Sequence, residues 1–96
     1  MSPLRDVKTP EPLTSAQIRA ARALIRWSAE DLARQSSVST TSIRRAELNP
    51  SETKLTRVND QAIRRTLEEA GVEFIDADGA GGPGVRLRQP HVRKDE

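Results

Sequence analysis

Two short segments near the middle of the chain each begin directly after a serine that is placed to cap a helix. Ser28 precedes a segment that begins at Ala29, and Ser39 precedes one that begins at Thr40. A serine hydroxyl in this position accepts a hydrogen bond from the free backbone N–H groups of the first helical turn. Residues 28–47 are therefore predicted to form two short helices joined by a tight turn, around which the rest of the chain must pack.

The apolar residues of this stretch fall on one side of each predicted helix. Leu32 and Ala33 form the inward face of the first helix, and Val38 fills the turn. Ile43 and Ala46 form the small inward face of the second helix. Its outward positions carry two hydroxyls followed one turn later by two guanidinium groups: Thr40, Thr41, Arg44 and Arg45. Such a surface is suited to contact with DNA.

The caps, the core spacing and this outward face together resemble the helix-turn-helix of the phage repressor and Cro-like family of bacterial transcriptional regulators, also called the XRE family. The resemblance covers residues 14–71 and implies a mainly α fold, a small four-helix lambda-repressor-like DNA-binding domain. In that family an arginine of the first helix pairs with the glutamate that ends the recognition helix. The resemblance therefore implies a structural ion pair between Arg22 and Glu47.

Two positions depart from the family pattern. The second helix of the family usually opens with a glutamine that contacts phosphate, and here this position is Ala29. The turn between the two helices usually holds a glycine, and here that position is Ser37. We expect the first change to remove one contact to the DNA backbone. The second requires a non-glycine residue in a left-handed conformation, or a relaxed turn.

The helices on either side of this motif have their own signals. Thr14 and Gln17 are spaced as a capping box for a first helix over residues 15–26. A last helix is predicted over residues 56–70, and Gly71 ends it. The core positions predicted on and beside these helices are Ile18, Ala21, Ile25 and Trp27, followed by Val58, Ala62, Ile63, Thr66 and Leu67.

Beyond Gly71 the apolar period changes to two, which predicts a C-terminal β-hairpin over residues 72–88 with strands at 72–75 and 85–88. Its apolar face carries Val72, Phe74, Val85 and Leu87. A lone hairpin is marginal and leaves an unpaired edge, so we expect two hairpins to pair and form a homodimer. The alternative is that the hairpin folds back on the last helix of its own chain.

Composition limits the class of protein. Ninety-six residues with one Trp, one Phe and no Tyr allow one small domain with a mostly aliphatic core. The absence of cysteine excludes disulfides and cysteine-based metal sites, and no apolar run approaches the roughly 20 residues that cross a bilayer. We expect a cytoplasmic, nucleoid-associated protein with no membrane segment. A disordered arm is predicted for residues 1–13, which include three prolines, and a disordered tail is predicted for residues 89–96.

Catalysis has little support in the sequence, which has one His, no Cys, no Tyr and scattered carboxylates. The glycine-rich residues 76–84 are followed by a strand, whereas a phosphate-binding loop leads into a helix. Asp76 and Asp78 lack the spacing of a calcium loop and are interpreted as turn formers. We expect a protein that is not an enzyme and needs no cofactor or metal.

The leading hypothesis is a sequence-specific DNA-binding transcriptional regulator, with residues 39–48 in the major groove of double-stranded DNA. Thr40, Thr41, Arg44 and Arg45 are then the base-contacting residues. The predicted contacts to the DNA backbone are Ser28, Arg34, Ser39, Asn49, Ser51 and Lys54. The alternative interpretation is that each of these side chains is a solvated surface group that does not contact DNA. The competing hypothesis is an antitoxin or accessory module that binds a protein partner, such as a toxin, through its hairpin.

Overall fold

The computed structural model describes residues 11–50 and 52–89. Its elements follow the predicted order: α1 (Ser15–Ile25), α2 (Ala29–Ser36), α3 (Thr40–Leu48), α4 (Arg57–Glu69), β1 (Val72–Ile75) and β2 (Gly84–Leu87). The prediction of a mainly α fold with four helices and a C-terminal hairpin is confirmed. No helix in these two ranges is long and apolar enough to cross a membrane.

Each helix begins at a capping side chain. The Thr14 hydroxyl accepts from the Gln17 backbone N–H at 3.1 Å, and the Gln17 side-chain oxygen accepts from the Thr14 N–H at 2.9 Å. α2 has the same reciprocal pair between Ser28 and Asp31. The hydroxyls that cap α3 and α4 belong to Ser39 and Thr56. These bonds satisfy backbone donors that would otherwise lack partners, which explains why the helix starts were predictable.

The core is aliphatic, as the composition predicted. Its buried members come from every helix, from the segment before α1, from the α2–α3 turn and from β1: Leu13, Ile18, Ala21, Ile25, Ala29, Leu32, Val38, Ile43, Ile63, Leu67 and Val72. Trp27 is half-buried against this cluster, which agrees with its predicted packing role. The fold therefore has one core, which holds the helices and the hairpin together.

The prediction that Val58 belongs to this core is wrong, because 74% of its surface is exposed. The buried stripe of α4 consists of Asp60, Ile63 and Leu67. Five residues of an α-helix turn through about 140° relative to the starting position. Val58 therefore lies far around the helix from Ile63, and its place on the stripe is taken by a carboxylate.

That carboxylate anchors the segment before α1. Asp60 Oδ1 accepts a hydrogen bond of 3.0 Å from the backbone N–H of Leu13, whose side chain is only 2% exposed. Arg64 donates to the carbonyl of Glu11 at 2.8 Å. The predicted disordered arm, residues 1–13, thus includes two residues, Glu11 and Leu13, that are hydrogen-bonded to α4. Its first ten residues, and residues 90–96 of the predicted tail, lie outside the described ranges.

The hairpin strands pair in antiparallel register, with Glu73 opposite Arg86 and Phe74 opposite Val85. β2 begins and ends one residue earlier than predicted. In the loop, a carboxylate oxygen of Asp78 accepts from the backbone N–H groups of Ala80 at 2.8 Å and of Gly81 at 3.1 Å. Asp78 therefore acts as the turn former that the sequence predicted.

The apolar face of the hairpin is covered by its own chain. Val72 is fully buried, and Phe74, Val85 and Leu87 pack against the core cluster. The Gln17 amide on α1 donates to the carbonyls of Ile75 and Gly84 at 3.4 and 3.0 Å. Of the two alternatives for this face, the structure has the second, in which the hairpin folds back on its own helices. Face-to-face pairing with a second hairpin would require these contacts to break.

Truncation after Gly71 should destabilise the domain, because it removes part of the core. Full burial of Val72 alone is worth about 2 kcal/mol, a large share of the stability of a small domain. We expect thermal denaturation, followed by circular dichroism, to show a lower melting temperature. In the full-length chain, Val72→Ala should be destabilising and Glu73→Ala nearly neutral. A truncated chain with an unchanged melting temperature would contradict this packing.

The turn between α2 and α3 contains a backbone conformation that favours glycine. Ser37 has a φ of 65° and a ψ of 20°, in the left-handed region, so the chain has adopted the left-handed alternative rather than relaxing the turn. For a residue with a Cβ this conformation costs roughly 1 kcal/mol. The serine side chain is exposed, so it contributes no core packing that would offset this cost.

Ser37→Gly should therefore raise the free energy of unfolding by about 0.5–1 kcal/mol, because glycine adopts positive φ without the steric penalty. Denaturant titration of both proteins measures the difference. Ser37→Ala is the matched control, which removes the hydroxyl and keeps the Cβ, and it should give no stabilisation. A destabilised glycine variant would show that the turn is not strained.

Candidate nucleic-acid interface

The packing of α3 decides which of its side chains are free to bind. Ile43 is fully buried and Ala46 is 1% exposed, so one side of this helix faces the core. Thr41, Arg44 and Arg45 are exposed on other sides of the helix. Thr40, which directly follows the capping Ser39, is half-buried. The structure thus places three of the four predicted base-contacting residues in solvent and the fourth partly within the fold.

An ion pair fixes α3 to α1. Arg22 Nε donates to Glu47 Oε2 at 2.8 Å, and Nη2 donates to Glu47 Oε1 at 2.7 Å. The two side chains are 21% and 10% exposed, respectively, so water screens the pair only partly. Arg22 Nη1 also donates to the carbonyl of Trp27 at 2.9 Å. The pair implied by the family resemblance is present, and it also secures the turn between α1 and α2.

The environment of Arg22 favours its charged form. Its hydrogen bond to Glu47 raises the pKa of the guanidinium, while burial opposes the shift and the negative charges of Glu47 and Glu30 add to it. A second tie between the same helices comes from Ser15, whose hydroxyl donates to the carbonyl of Ala46 at 2.7 Å. Both contacts lie in the last turn of α3, at the adjacent residues Ala46 and Glu47, so they fix the C-terminal end of this helix against α1.

Arg44 has a partner that sequence reasoning missed. Its guanidinium pairs with the carboxylate of Glu30 on α2, and both side chains are more than half exposed. Arg45 is also exposed, and it forms no ion pair with any residue of the described ranges. The two adjacent arginines therefore differ: one is held by an acid and the other is unrestrained. Sequence analysis did not identify this pair, because Glu30 and Arg44 come together only through the packing of α2 against α3.

The candidates for DNA backbone contacts are scattered in role. The hydroxyls of Ser28 and Ser39 accept the capping bonds of α2 and α3, and Arg34 is paired with Asp31 at 2.5 Å. Lys54 is exposed in a left-handed conformation, with a φ of 62°. Ser51 lies outside the described residues. The two cationic candidates differ. Arg34 already has an acid partner, whereas Lys54 forms no ion pair within residues 11–50 and 52–89.

A shallow groove brings several of these polar groups together between the end of α3 and the start of α4. It is lined by Ser42, Arg45, Ala46, Asn49, Thr53, Lys54, Leu55, Thr56 and Asn59. Two cationic side chains and several amides and hydroxyls thus share one concave surface beside the exposed face of α3. Asn59 was not identified from the sequence, because its place beside the groove depends on how α4 packs.

The N-terminal end of α2 is acidic. Glu30 has a lowered pKa because its carboxylate bonds its own backbone N–H and lies near Arg44. The pKa of Asp31 is lowered by the hydrogen bond from the Ser28 backbone N–H and by Arg34. Both groups are anionic at neutral pH, so the positive end of this helix is already complemented by the protein itself.

The side chains in the described ranges include no group of three or more His, Asp or Glu residues that is arranged to hold a metal ion. A scan against models of protein families finds no model that matches the chain, and a search of curated proteins finds no significant match.

Loss of the ion pair between Arg22 and Glu47 should destabilise the domain. Glu47→Ala leaves the largely buried guanidinium of Arg22 without its carboxylate, which should lower the free energy of unfolding by about 2–3 kcal/mol. Urea denaturation measures this difference. The matched control is Glu73→Ala, which breaks a similar Arg–Glu pair on the exposed face of the hairpin and should have little effect. Equal effects of the two substitutions would show that burial does not strengthen the Arg22 pair.

Proposed function

We propose that the protein is a sequence-specific DNA-binding transcriptional regulator that places α3 in the major groove of double-stranded DNA. One observation carries the proposal: α3 is packed on one side and braced by Arg22 and Glu47, and it presents Thr41, Arg44 and Arg45 to solvent on its other sides. A helix that served only the core would not need a cationic outer surface.

The dimensions support this role. Nine residues of α-helix span about 13 Å, and the major groove is roughly 12 Å wide, so α3 fits across or along it. An arginine can donate two parallel hydrogen bonds to guanine O6 and N7, and a threonine methyl group can contact the thymine methyl group. Arg44 and Arg45 are the proposed guanine readers, and Thr41 is the proposed contact to thymine or phosphate.

The groove between α3 and α4 supplies the proposed phosphate contacts. Lys54 and Asn49 line it beside Arg45, and all three carry N–H donors. Contacts of this kind fix the register of the protein on the duplex without reading its sequence. Ser28 is a weaker candidate than the sequence indicated, because the adjacent carboxylates of Glu30 and Asp31 repel phosphate.

A homodimer remains part of the proposal. One short recognition helix reads only a few base pairs, and regulators of this type place two such helices about 34 Å apart on a palindromic site. Since the apolar face of the hairpin is filled by its own chain, two copies would meet through another surface. Sedimentation velocity at micromolar concentration, with and without DNA, measures this association.

A second candidate is an antitoxin or accessory module that binds a protein partner through the hairpin. It is favoured by the two-stranded sheet, since each strand of such a sheet has one edge with no strand beside it. A partner strand can add to such an edge by backbone hydrogen bonds. Binding to DNA that weakens steeply with salt favours the regulator, whereas its absence favours the interaction module.

The readout residues are tested with a DNA site selected from a random pool by the purified protein. Arg44→Ala or Arg45→Ala should weaken binding to that site by about 1–3 kcal/mol and relax its sequence preference. Lys54→Ala should weaken binding to the selected and random duplexes alike, and should flatten the salt dependence. Fluorescence anisotropy titrations at several salt concentrations measure both effects.

The control is Arg65→Ala, which removes an exposed arginine near the C-terminal end of α4 and should change neither property. If both α3 arginine variants lose the same affinity for selected and random DNA, the arginines contact only phosphate. If no variant differs from the original protein, α3 does not bind DNA.

A further inference from the structure

We propose that Glu30 is a specificity-determining positioning residue, which holds Arg44 for contact with a base and disfavours its contact with phosphate. The inference rests on the proposed function and adds to it a residue outside α3. It assigns to α2 a role in sequence recognition that the base-contacting residues alone do not include.

The pair links two helices whose relative position is fixed. Glu30 is the second residue of α2, Arg44 is the fifth residue of α3, and they are 14 positions apart in sequence. Leu32 and Ile43, on the inward sides of the same helices, are fully buried. The backbone positions from which the two charged side chains extend are therefore set by core packing, so the carboxylate is always within reach of the guanidinium.

The pairing leaves Arg44 able to bind a base. A guanidinium has five N–H donors, and the bond to Glu30 uses Nη2. Recognition of guanine requires two parallel donors, so the carboxylate and a base can occupy different edges of the planar group. Because Glu30 already restricts the rotamers of Arg44, binding a base orders this side chain less than it would order a free arginine.

Charge adds discrimination to this positioning. Glu30 is ionised at neutral pH, since its backbone N–H and Arg44 both stabilise the carboxylate. Its negative charge compensates that of Arg44, so the pair attracts phosphate less than a lone arginine does. Hydrogen bonds to guanine O6 and N7 depend on geometry more than on net charge. Glu30 therefore weakens binding to random sequence more than binding to the preferred site.

The chain contains its own comparison. Arg45 is adjacent to Arg44 and equally able to reach solvent, but it has no acid partner among the residues that the structure describes. We therefore expect Arg44 to contribute mainly to sequence preference. Arg45, which lies in the groove with Lys54 and has no such partner, should still read a base but should discriminate less between the preferred site and random DNA than Arg44 does.

The ion pair itself is tested first, in the absence of DNA. The titration of the Glu30 carboxylate is followed by NMR in the original protein and in Arg44→Ala. Removal of Arg44 should raise the pKa of Glu30, because one stabilising charge is lost. An unchanged pKa would overturn the proposal independently of any DNA-binding result.

The second test compares affinities for the selected site and for a random duplex at low and moderate salt. Glu30→Gln keeps the size of the side chain and removes its charge. We expect it to raise affinity for the random duplex by roughly 3- to 10-fold at low salt and to raise affinity for the selected site less, so that the ratio of the two falls. Glu69→Gln, the same charge change near the end of α4, should leave that ratio unchanged.

The same substitution is then made in the Arg44→Ala background, where Glu30→Gln should no longer alter the ratio, because the side chain that it positions is absent. An unchanged ratio in the single variant, or an equal fall in both backgrounds, would overturn the inference and leave the proposed function intact. If the original protein binds neither duplex, the proposed function and the inference fail together.

Discussion

The ion pair between Arg22 and Glu47 determines how the candidate interface is presented. Its guanidinium makes two hydrogen bonds to one carboxylate on α3 and a third to the carbonyl of Trp27, so three segments of chain meet at one side chain. A lysine at position 22 has no fork that can match both carboxylate oxygens while also bonding a carbonyl. α3 buries only two apolar side chains, Ile43 and Ala46, so this polar contact does much to fix the orientation of the helix. The exposed arginines can form a defined binding surface only if that orientation is constant.

Local signals in the sequence predicted most of the fold, and the reason is physical. A hydroxyl before a helix bonds a backbone N–H only three residues away, so Thr14, Ser28, Ser39 and Thr56 act within their own segments. The end of α4 is also a local feature, because it depends on Gly71, whose φ of 109° favours glycine. Such contacts do not depend on how the distant parts of the chain pack, and they are therefore readable from the sequence.

Most of the features that escaped prediction join residues that are distant in sequence. Leu13 was placed in an arm because its partner, Asp60, lies 47 positions away on a helix whose buried stripe includes a carboxylate. Val58 was assigned to the core by type, although its angle around α4 points it to solvent. The Arg44 pairing also depends on the packing of α2 against α3. The four base-contacting candidates were found from one helix, whereas the acid that orients one of them was not.

The hydrogen bonds from α1 to the C-terminal part of the chain impose an order on assembly during synthesis. Gln17 leaves the ribosome early, but the carbonyls that it binds lie 58 and 67 positions later. The buried amide of Leu13 likewise waits for Asp60. A nascent chain that ends after α3 contains both Arg22 and Glu47, yet it lacks α4 and the hairpin, which pack on α1 and α2. The part that contains α1, α2 and α3 can therefore begin to organise while the rest of the core is still exposed to water, and the burial of Val72 and the Gln17 hydrogen bonds follow only after the hairpin has been made.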